Sequence, residues 1–204
     1  MHRIAGAAIP MILVSMNLVI QAQSMKVDNT FAARVWANRT IWQKHVEWLL
    51  NEQMSCSGAD PKNDQSPCNR FVGRALERVY GINDFTVSGD YLDANAISTY
   101  LLTHTPPWRE LGRAGDQTVL QTAQQYANEG RPVLAVRPDT PHGHVALVLP
   151  GKLKQSSTWT MSVPNSASFT LDAPTNEKHT YVGGPLSRAF SNSKKEDVKI
   201  YVRF

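Results

Sequence analysis

The chain has 204 residues, of which 42% are hydrophobic and 19% charged, with a formal net charge of +4. This composition is typical of a globular protein with one domain, or two at most, large enough to bury a core without a metal or disulfide. Apart from the short pair Lys194 and Lys195, no stripe of basic residues with interleaved aromatics occurs, which argues against a nucleic-acid partner.

The N-terminal stretch has the order of residues found in a secretory signal peptide. His2 and Arg3 precede an apolar run over residues 4–20, and Ala22 follows as a residue that could precede cleavage. A membrane anchor is the alternative, but the run is short for a stable span and is interrupted by polar residues. We therefore predict a signal peptide over residues 1–22, a periplasmic or secreted protein, and no stable membrane span after signal removal.

Two helices with a loop between them are predicted next. Residues 29–53 carry apolar side chains at helical spacing, and residues 55–67 are turn formers. A second helix is predicted over residues 66–81, with Ser66 as its N-cap and Gly81 as a left-handed C-cap.

The rest of the chain predicts two more helices and then strands. Asp93 would cap a helix over residues 93–104, and Asp116 would cap another that ends just before Gly130. Short apolar or alternating runs predict the strands, the first two as neighbours: residues 131–138, 144–151, 157–165 and 197–204. Helices followed by an antiparallel sheet predict an α+β fold in one domain.

Cys68 would be the second residue of the helix over residues 66–81. The unpaired N–H groups and the dipole of a first helical turn favour a thiolate and can bind an oxyanion, so Cys68 is a candidate nucleophile. A disulfide is the competing interpretation, because Cys56 lies only twelve residues earlier. An exported protein can keep such a bridge, which would contribute about 3 kcal/mol by the loop-entropy relation.

A cysteine nucleophile requires a general base, and His144 is the best placed histidine. It opens a predicted strand on the same face as Ala146 and Val148, so the strand would hold it rigidly. His142, in the preceding turn, is the weaker candidate.

The base also needs a partner that orients its ring. The next predicted strand supplies Ser162 and Asn165, and the amide oxygen of Asn165 could accept a hydrogen bond from the imidazole without adding charge. Asp172 and Glu177 are more remote alternatives. The sequence has no HExxH motif and no cluster of Cys and His, so we predict neither a metal site nor a cofactor.

Three motifs in this order, "CNRFVGRAL", "GHVALVLPG" and "SVPN", resemble the NlpC/P60 and CHAP group of papain-like cysteine amidases. The resemblance covers residues 66–165, about half of the chain. It implies a single papain-like (NlpC/P60-like) amidase domain over residues 23–204, of class α+β, with N-terminal helices packed on a C-terminal antiparallel sheet. It also implies that Cys68 is the nucleophile, His144 the base and Asn165 the orienting residue.

The resemblance implies hydrolysis of amide bonds in bacterial peptidoglycan. The expected function is therefore that of a secreted or periplasmic cysteine amidase or endopeptidase, with peptidoglycan or its peptide fragments as substrate and a cognate inhibitor as a candidate partner. The alternative is a non-catalytic exported binding or scaffold protein in which Cys56 and Cys68 form a structural disulfide. A reversible bridge that blocks the nucleophile until it is reduced would combine the two.

Overall fold

A computed structural model describes residues 70–141, 143–169, 180–190 and 195–204, together with Trp48. The predicted signal peptide, both cysteines and His142 lie outside the described residues. So does the predicted first helix, apart from Trp48, which is helical. No helix among the residues described is long and apolar enough to cross a membrane.

The first described helix ends where the sequence predicts. Helix α1 (Phe71–Ala75) continues as a π-helical stretch (Leu76–Tyr80), which stops at Gly81. Gly81 has φ +67°, a left-handed conformation that glycine adopts at little cost. The start predicted at Ser66 lies outside the described residues. The buried side of this helix consists of Phe71, Val72, Ala75, Leu76 and Tyr80.

Helices α2 (Ala94–Thr103) and α3 (Gln117–Asn128) confirm the predicted caps. The carboxylates of Asp93 and Asp116 each accept a first-turn backbone N–H, at 2.8 Å and 2.7 Å. Gly130, with φ +80°, follows the end of α3. Between α1 and α2 lies a short hairpin of β1 (Thr86–Val87) and β2 (Asp90–Tyr91).

A six-stranded antiparallel sheet forms the centre of the fold, in the order β3–β10–β4–β5–β8–β9. The described chain is therefore mixed α and β, as predicted, and the two strands predicted as neighbours are β4 and β5. The strands of this sheet are β3 (Trp108–Arg113), β4 (Val133–Arg137), β5 (His144–Val148), β8 (Asn165–Phe169), β9 (Thr180–Pro185) and β10 (Lys199–Arg203).

The strand predicted over residues 157–165 is only partly correct. Its middle forms β7 (Met161–Val163), which pairs with β6 (Lys154–Ser156) in a separate hairpin and not with the central sheet. Asn165, at the end of the predicted strand, instead begins β8. The neighbour of β5 is thus β8, and the hairpin of β6 and β7 lies in the connection between them.

The two central strands β4 and β5 are buried on both faces. Alternate side chains of β5, such as Val145 and Leu147, pack with α1 and α2, whereas Ala146 and Val148 pack on the side of α3. Burial on both faces explains why the sequences of these strands are continuous apolar runs. Each fully buried Val or Leu side chain contributes roughly 1.5–3 kcal/mol.

A half-buried carboxylate joins the segment after α1 to two strands of the sheet. Asp84 accepts hydrogen bonds from the indole N–H of Trp108 in β3, at 2.8 Å, and from Nε of Arg203 in β10, at 2.7 Å. Trp108 is completely buried and stacks on Phe85. The end of α1 is thereby fixed to the central sheet.

Candidate active site

His144 is the first residue of β5, as predicted. Its backbone pairs with Arg137 of β4 in the antiparallel register, and its side chain is half-buried. Because side chains alternate along a strand, His144 lies on the same face as Ala146 and Val148, which is the face that α3 covers. A central strand therefore fixes the backbone of the candidate base.

The loop that leads into β5 is held by a single amide side chain. Asn95, near the start of α2, donates hydrogen bonds to the carbonyl oxygens of Asp139 and Pro141, at 2.9 Å and 3.2 Å. The same side chain lies against Gly143, where a Cβ would be 2.2 Å from its Oδ1. A side chain at this position would have to displace the Asn95 amide, which gives a physical reason for the glycine directly before β5.

The imidazole of His144 contacts a buried hydroxyl and an aromatic ring. Its Nε2 lies 2.9 Å from Oγ of Ser168 in β8, a residue with no exposed surface. The ring of Phe190 meets the imidazole edge-on, with the ring centres 5.3 Å apart and the planes at 81°. The plane of the imidazole is thus defined by two neighbours, neither of which the sequence singles out.

Asn165 does not lie beside His144, contrary to the sequence-based prediction. In the register of β5 and β8, Asn165 is opposite Leu149, five residues beyond His144, which corresponds to about 17 Å along a strand. Its amide donates instead to the carbonyl oxygen of Pro150 at 2.9 Å, and its backbone N–H donates to Gln124 at 2.8 Å. This is a correction to the expected orienting role.

The other predicted partners of the base are also placed elsewhere or not described. Ser162 is in β7, where its backbone exchanges two hydrogen bonds with the side-chain amide of Gln117. Asp172 and Glu177 lie outside the described residues.

Three amide side chains of α3 fasten this face of the sheet. Gln117 binds the backbone of β7, Gln124 donates to the carbonyl oxygen of Leu149 at 2.9 Å, and Asn128 exchanges two hydrogen bonds with the backbone of Gly151. These contacts satisfy backbone groups at strand ends that would otherwise be buried without partners. They hold α3 against the sheet on the side where His144 lies.

A second hydroxyl of β8 is likewise bound inside the protein. Oγ of Ser166 lies 2.9 Å from the phenol oxygen of Tyr181 in β9, and both side chains are buried. Burial raises the pKa of the Tyr181 phenol well above its ordinary value, so the hydroxyl stays protonated at neutral pH. The Ser166–Tyr181 pair therefore carries no charge.

Helix α1, the described part of the helix predicted over residues 66–81, packs on the face of the sheet opposite to His144. Phe71 and Val72 of α1 belong to the core cluster of Val145 and Leu147, whereas His144 contacts Phe190 of the other cluster. Cys68 lies outside the described residues.

The start of α1 is anchored by the hairpin of β1 and β2. Arg70 forms an ion pair with Asp90, whose other carboxylate oxygen accepts the backbone N–H of Tyr91 at 2.8 Å. That N–H, and next the Arg70 guanidinium, hold the pKa of Asp90 below its usual value. Arg70, which follows Cys68 by two residues in the sequence, is thereby held at the hairpin.

Among the residues described, no three His, Cys, Asp or Glu side chains are grouped closely enough to hold a metal ion. The hydrogen-bond partner described for Nε2 of His144, Ser168, is a neutral hydroxyl that can orient the ring. A scan against protein-family models and a search of curated proteins both return no match for this chain.

Proposed function

We propose that the protein is an exported cysteine hydrolase that cleaves amide bonds of bacterial peptidoglycan, either as an amidase or as an endopeptidase. In this proposal Cys68 is the nucleophile and His144 the general base, and the domain is papain-like. The mildly positive net charge suits an anionic wall polymer.

The observation that carries the proposal is the position of His144. A general base must be held within hydrogen-bond reach of the proton it removes, and a rigid residue does this best. The imidazole of His144 is fixed by the ladder of β5, by Ser168 and by Phe190, and its loop is fixed by Asn95. A half-buried histidine held in this way at the end of a strand suits proton transfer.

The wider arrangement supports the same chemistry. Helix α1, which directly follows the cysteine segment, packs against β5, and that strand begins with His144 and Val145 directly after Gly143. A polar residue, Ser168, lies on the adjacent strand. A helix on an antiparallel sheet, a Gly-His-Val strand start and a polar residue one strand away are the elements of the group that the sequence resembles.

The proposed reaction has two steps. The thiol proton of Cys68 passes to His144, the thiolate attacks the amide carbonyl carbon, and first-turn N–H groups bind the oxyanion. When the C–N bond breaks, His144 gives its proton to the leaving amine and a thioester remains. Water then attacks the thioester, His144 takes a proton from the water, and the thiol and a carboxylic acid are released.

This proposal makes a geometric demand. Because α1 and His144 lie on opposite faces of the sheet, the thiol of Cys68 must lie beyond the end of β5 that begins at His144. Arg70 is held by Asp90, so the short segment from Arg70 back to Cys68 has to reach from the hairpin of β1 and β2 to His144.

The test is digestion of purified muropeptides under reducing conditions, with products identified by mass spectrometry. The wild-type protein is expected to produce new termini, and the variant Cys68→Ala none. Cys56→Ala is the matched control, because it removes the other cysteine and should leave the products unchanged. The masses of the products also identify the bond that is cut.

The proposal is contradicted if the wild-type protein releases nothing from several wall chemotypes. It is also contradicted if Cys68→Ala releases the same products at the same rate, since the proposed covalent step cannot occur without the thiol.

A further inference from the structure

Ser168 occupies an unusual position for a serine with no exposed surface. Its Oγ lies between the Nε2 atom of His144, at 2.9 Å, and the carbonyl oxygen of Val145, at 3.1 Å. All three groups belong to the paired strands β5 and β8, so the arrangement is held by the sheet itself. The hydroxyl is thus placed where it can favour one of the two neutral tautomers of the imidazole.

The direction of the two hydrogen bonds follows from the chemistry of the groups. A carbonyl oxygen can only accept, so the single hydroxyl proton of Ser168 is donated to Val145. The hydroxyl oxygen then has only lone pairs to offer to His144, and Nε2 must supply the hydrogen. In the neutral ring the proton is therefore on Nε2, and Nδ1 carries the lone pair.

We propose that Ser168 is the positioning residue of the candidate general base, and that Nδ1 of His144 is the atom that accepts the proton from the nucleophile. This inference rests on the proposed function and replaces Asn165 in the orienting role. Ser168 acts through His144 and does not touch the substrate.

A hydroxyl differs from a carboxylate in this position. A carboxylate beside an imidazole stabilises the protonated ring by its charge and raises its pKa, whereas a neutral hydroxyl fixes the tautomer without that effect. Ser168, the hydrogen-bond partner described for Nε2 of His144, is neutral. Ser168 thus orients the base without placing a charge beside Nε2.

The test compares two variants of the same shape, Ser168→Thr and Ser168→Val. Both add a methyl group to a buried site, but only threonine keeps the hydroxyl, so their difference isolates the hydrogen bond. The tautomer of His144 is read in the full chain from imidazole ¹⁵N chemical shifts, assigned by their loss in His144→Gln. Muropeptide hydrolysis is measured with the same samples.

The wild-type protein is expected to have a pyrrole-type Nε2 and a pyridine-type Nδ1 in the neutral ring. Ser168→Thr should keep this pattern, and Ser168→Val should show a mixture of tautomers and a kcat/KM about 10- to 100-fold lower than Ser168→Thr. A wild-type ring protonated on Nδ1 would overturn the inference, and so would identical tautomers in the two variants. The tautomer measured in the wild-type protein tests the inference even if both variants fail to fold.

The two proposals fail in different ways. If the wild-type protein hydrolyses muropeptides but its His144 carries the proton on Nδ1, the inference about Ser168 is wrong and the proposed function stands. If the protein is inactive, the proposed function fails whatever the ¹⁵N shifts are.

Discussion

His144→Ala is expected to lower the kcat/KM of muropeptide hydrolysis about 10³-fold. The substitution removes the group that takes the proton from Cys68 and later gives it to the leaving amine, and general acid–base catalysis contributes roughly 10²- to 10⁴-fold to such reactions. Because His144 is half-buried and is the first residue of β5, the fold should survive the change. The rates are measured by quantifying released products over time.

His104→Ala is the matched control. His104 is an exposed histidine at the far end of α2 from Asn95, and it stacks on Tyr100. His104 follows Asn95 by nine positions, which corresponds to about 14 Å along a helix axis. We expect this variant to hydrolyse muropeptides at the wild-type rate. An equal loss in both variants would mean that the effect is on the fold and that His144 has no chemical role.

Leu101→Ala is expected to lower the free energy of unfolding by about 2–5 kcal/mol, because it removes a side chain that is 1% exposed and leaves a cavity. Its neighbour Leu102, also in α2, is 61% exposed, so Leu102→Ala should cost less than about 0.5 kcal/mol. Urea denaturation followed by circular dichroism measures both.

This pair of leucines tests how α2 packs on the sheet. Leu101 shares a core cluster with Val145 and Leu147 of β5, and α2 carries the Asn95 that holds the loop before His144. If Leu102→Ala destabilised the protein as much as Leu101→Ala, the helix would have to present its other side to the sheet.

The parts of the fold that local signals specify could be predicted from the sequence. The capping carboxylates of Asp93 and Asp116 and the left-handed Gly81 mark helix ends by hydrogen bonding and backbone geometry within a few residues. Strands β4, β5 and β10 are apolar because the sheet buries them, and β-branched residues favour strands.

The strands that the sequence analysis missed are those with mixed or polar composition. Strand β3, Trp108–Arg113, lies at an edge of the sheet and carries exposed charges, so it has no apolar run to mark it. Strands β8 and β9 contain serines and glycines, whose bonds are to neighbouring strands and to Tyr181. Such strands are stabilised by tertiary contacts that a local pattern does not contain.

The same distinction between local signals and tertiary contacts applies to the candidate site. His144 could be placed at the start of a strand from its own neighbourhood, but its partner depends on the register between β5 and β8. The hairpin of β6 and β7 lies in the connection between these strands, so counting along the chain does not give the register. Ser168 is found only when that register is known, and the local sequence therefore favours Asn165 instead.

The most direct test of the central claim is the pH dependence of Cys68 alkylation by iodoacetamide, in a Cys56→Ala background, with and without His144→Ala. If the thiol and the imidazole are neighbours, Cys68 should be alkylated at pH values well below the ordinary thiol pKa of about 8.5. The loss of His144 should then shift the pH profile of alkylation upward toward that value. If the two profiles coincide, Cys68 and His144 do not form a catalytic pair.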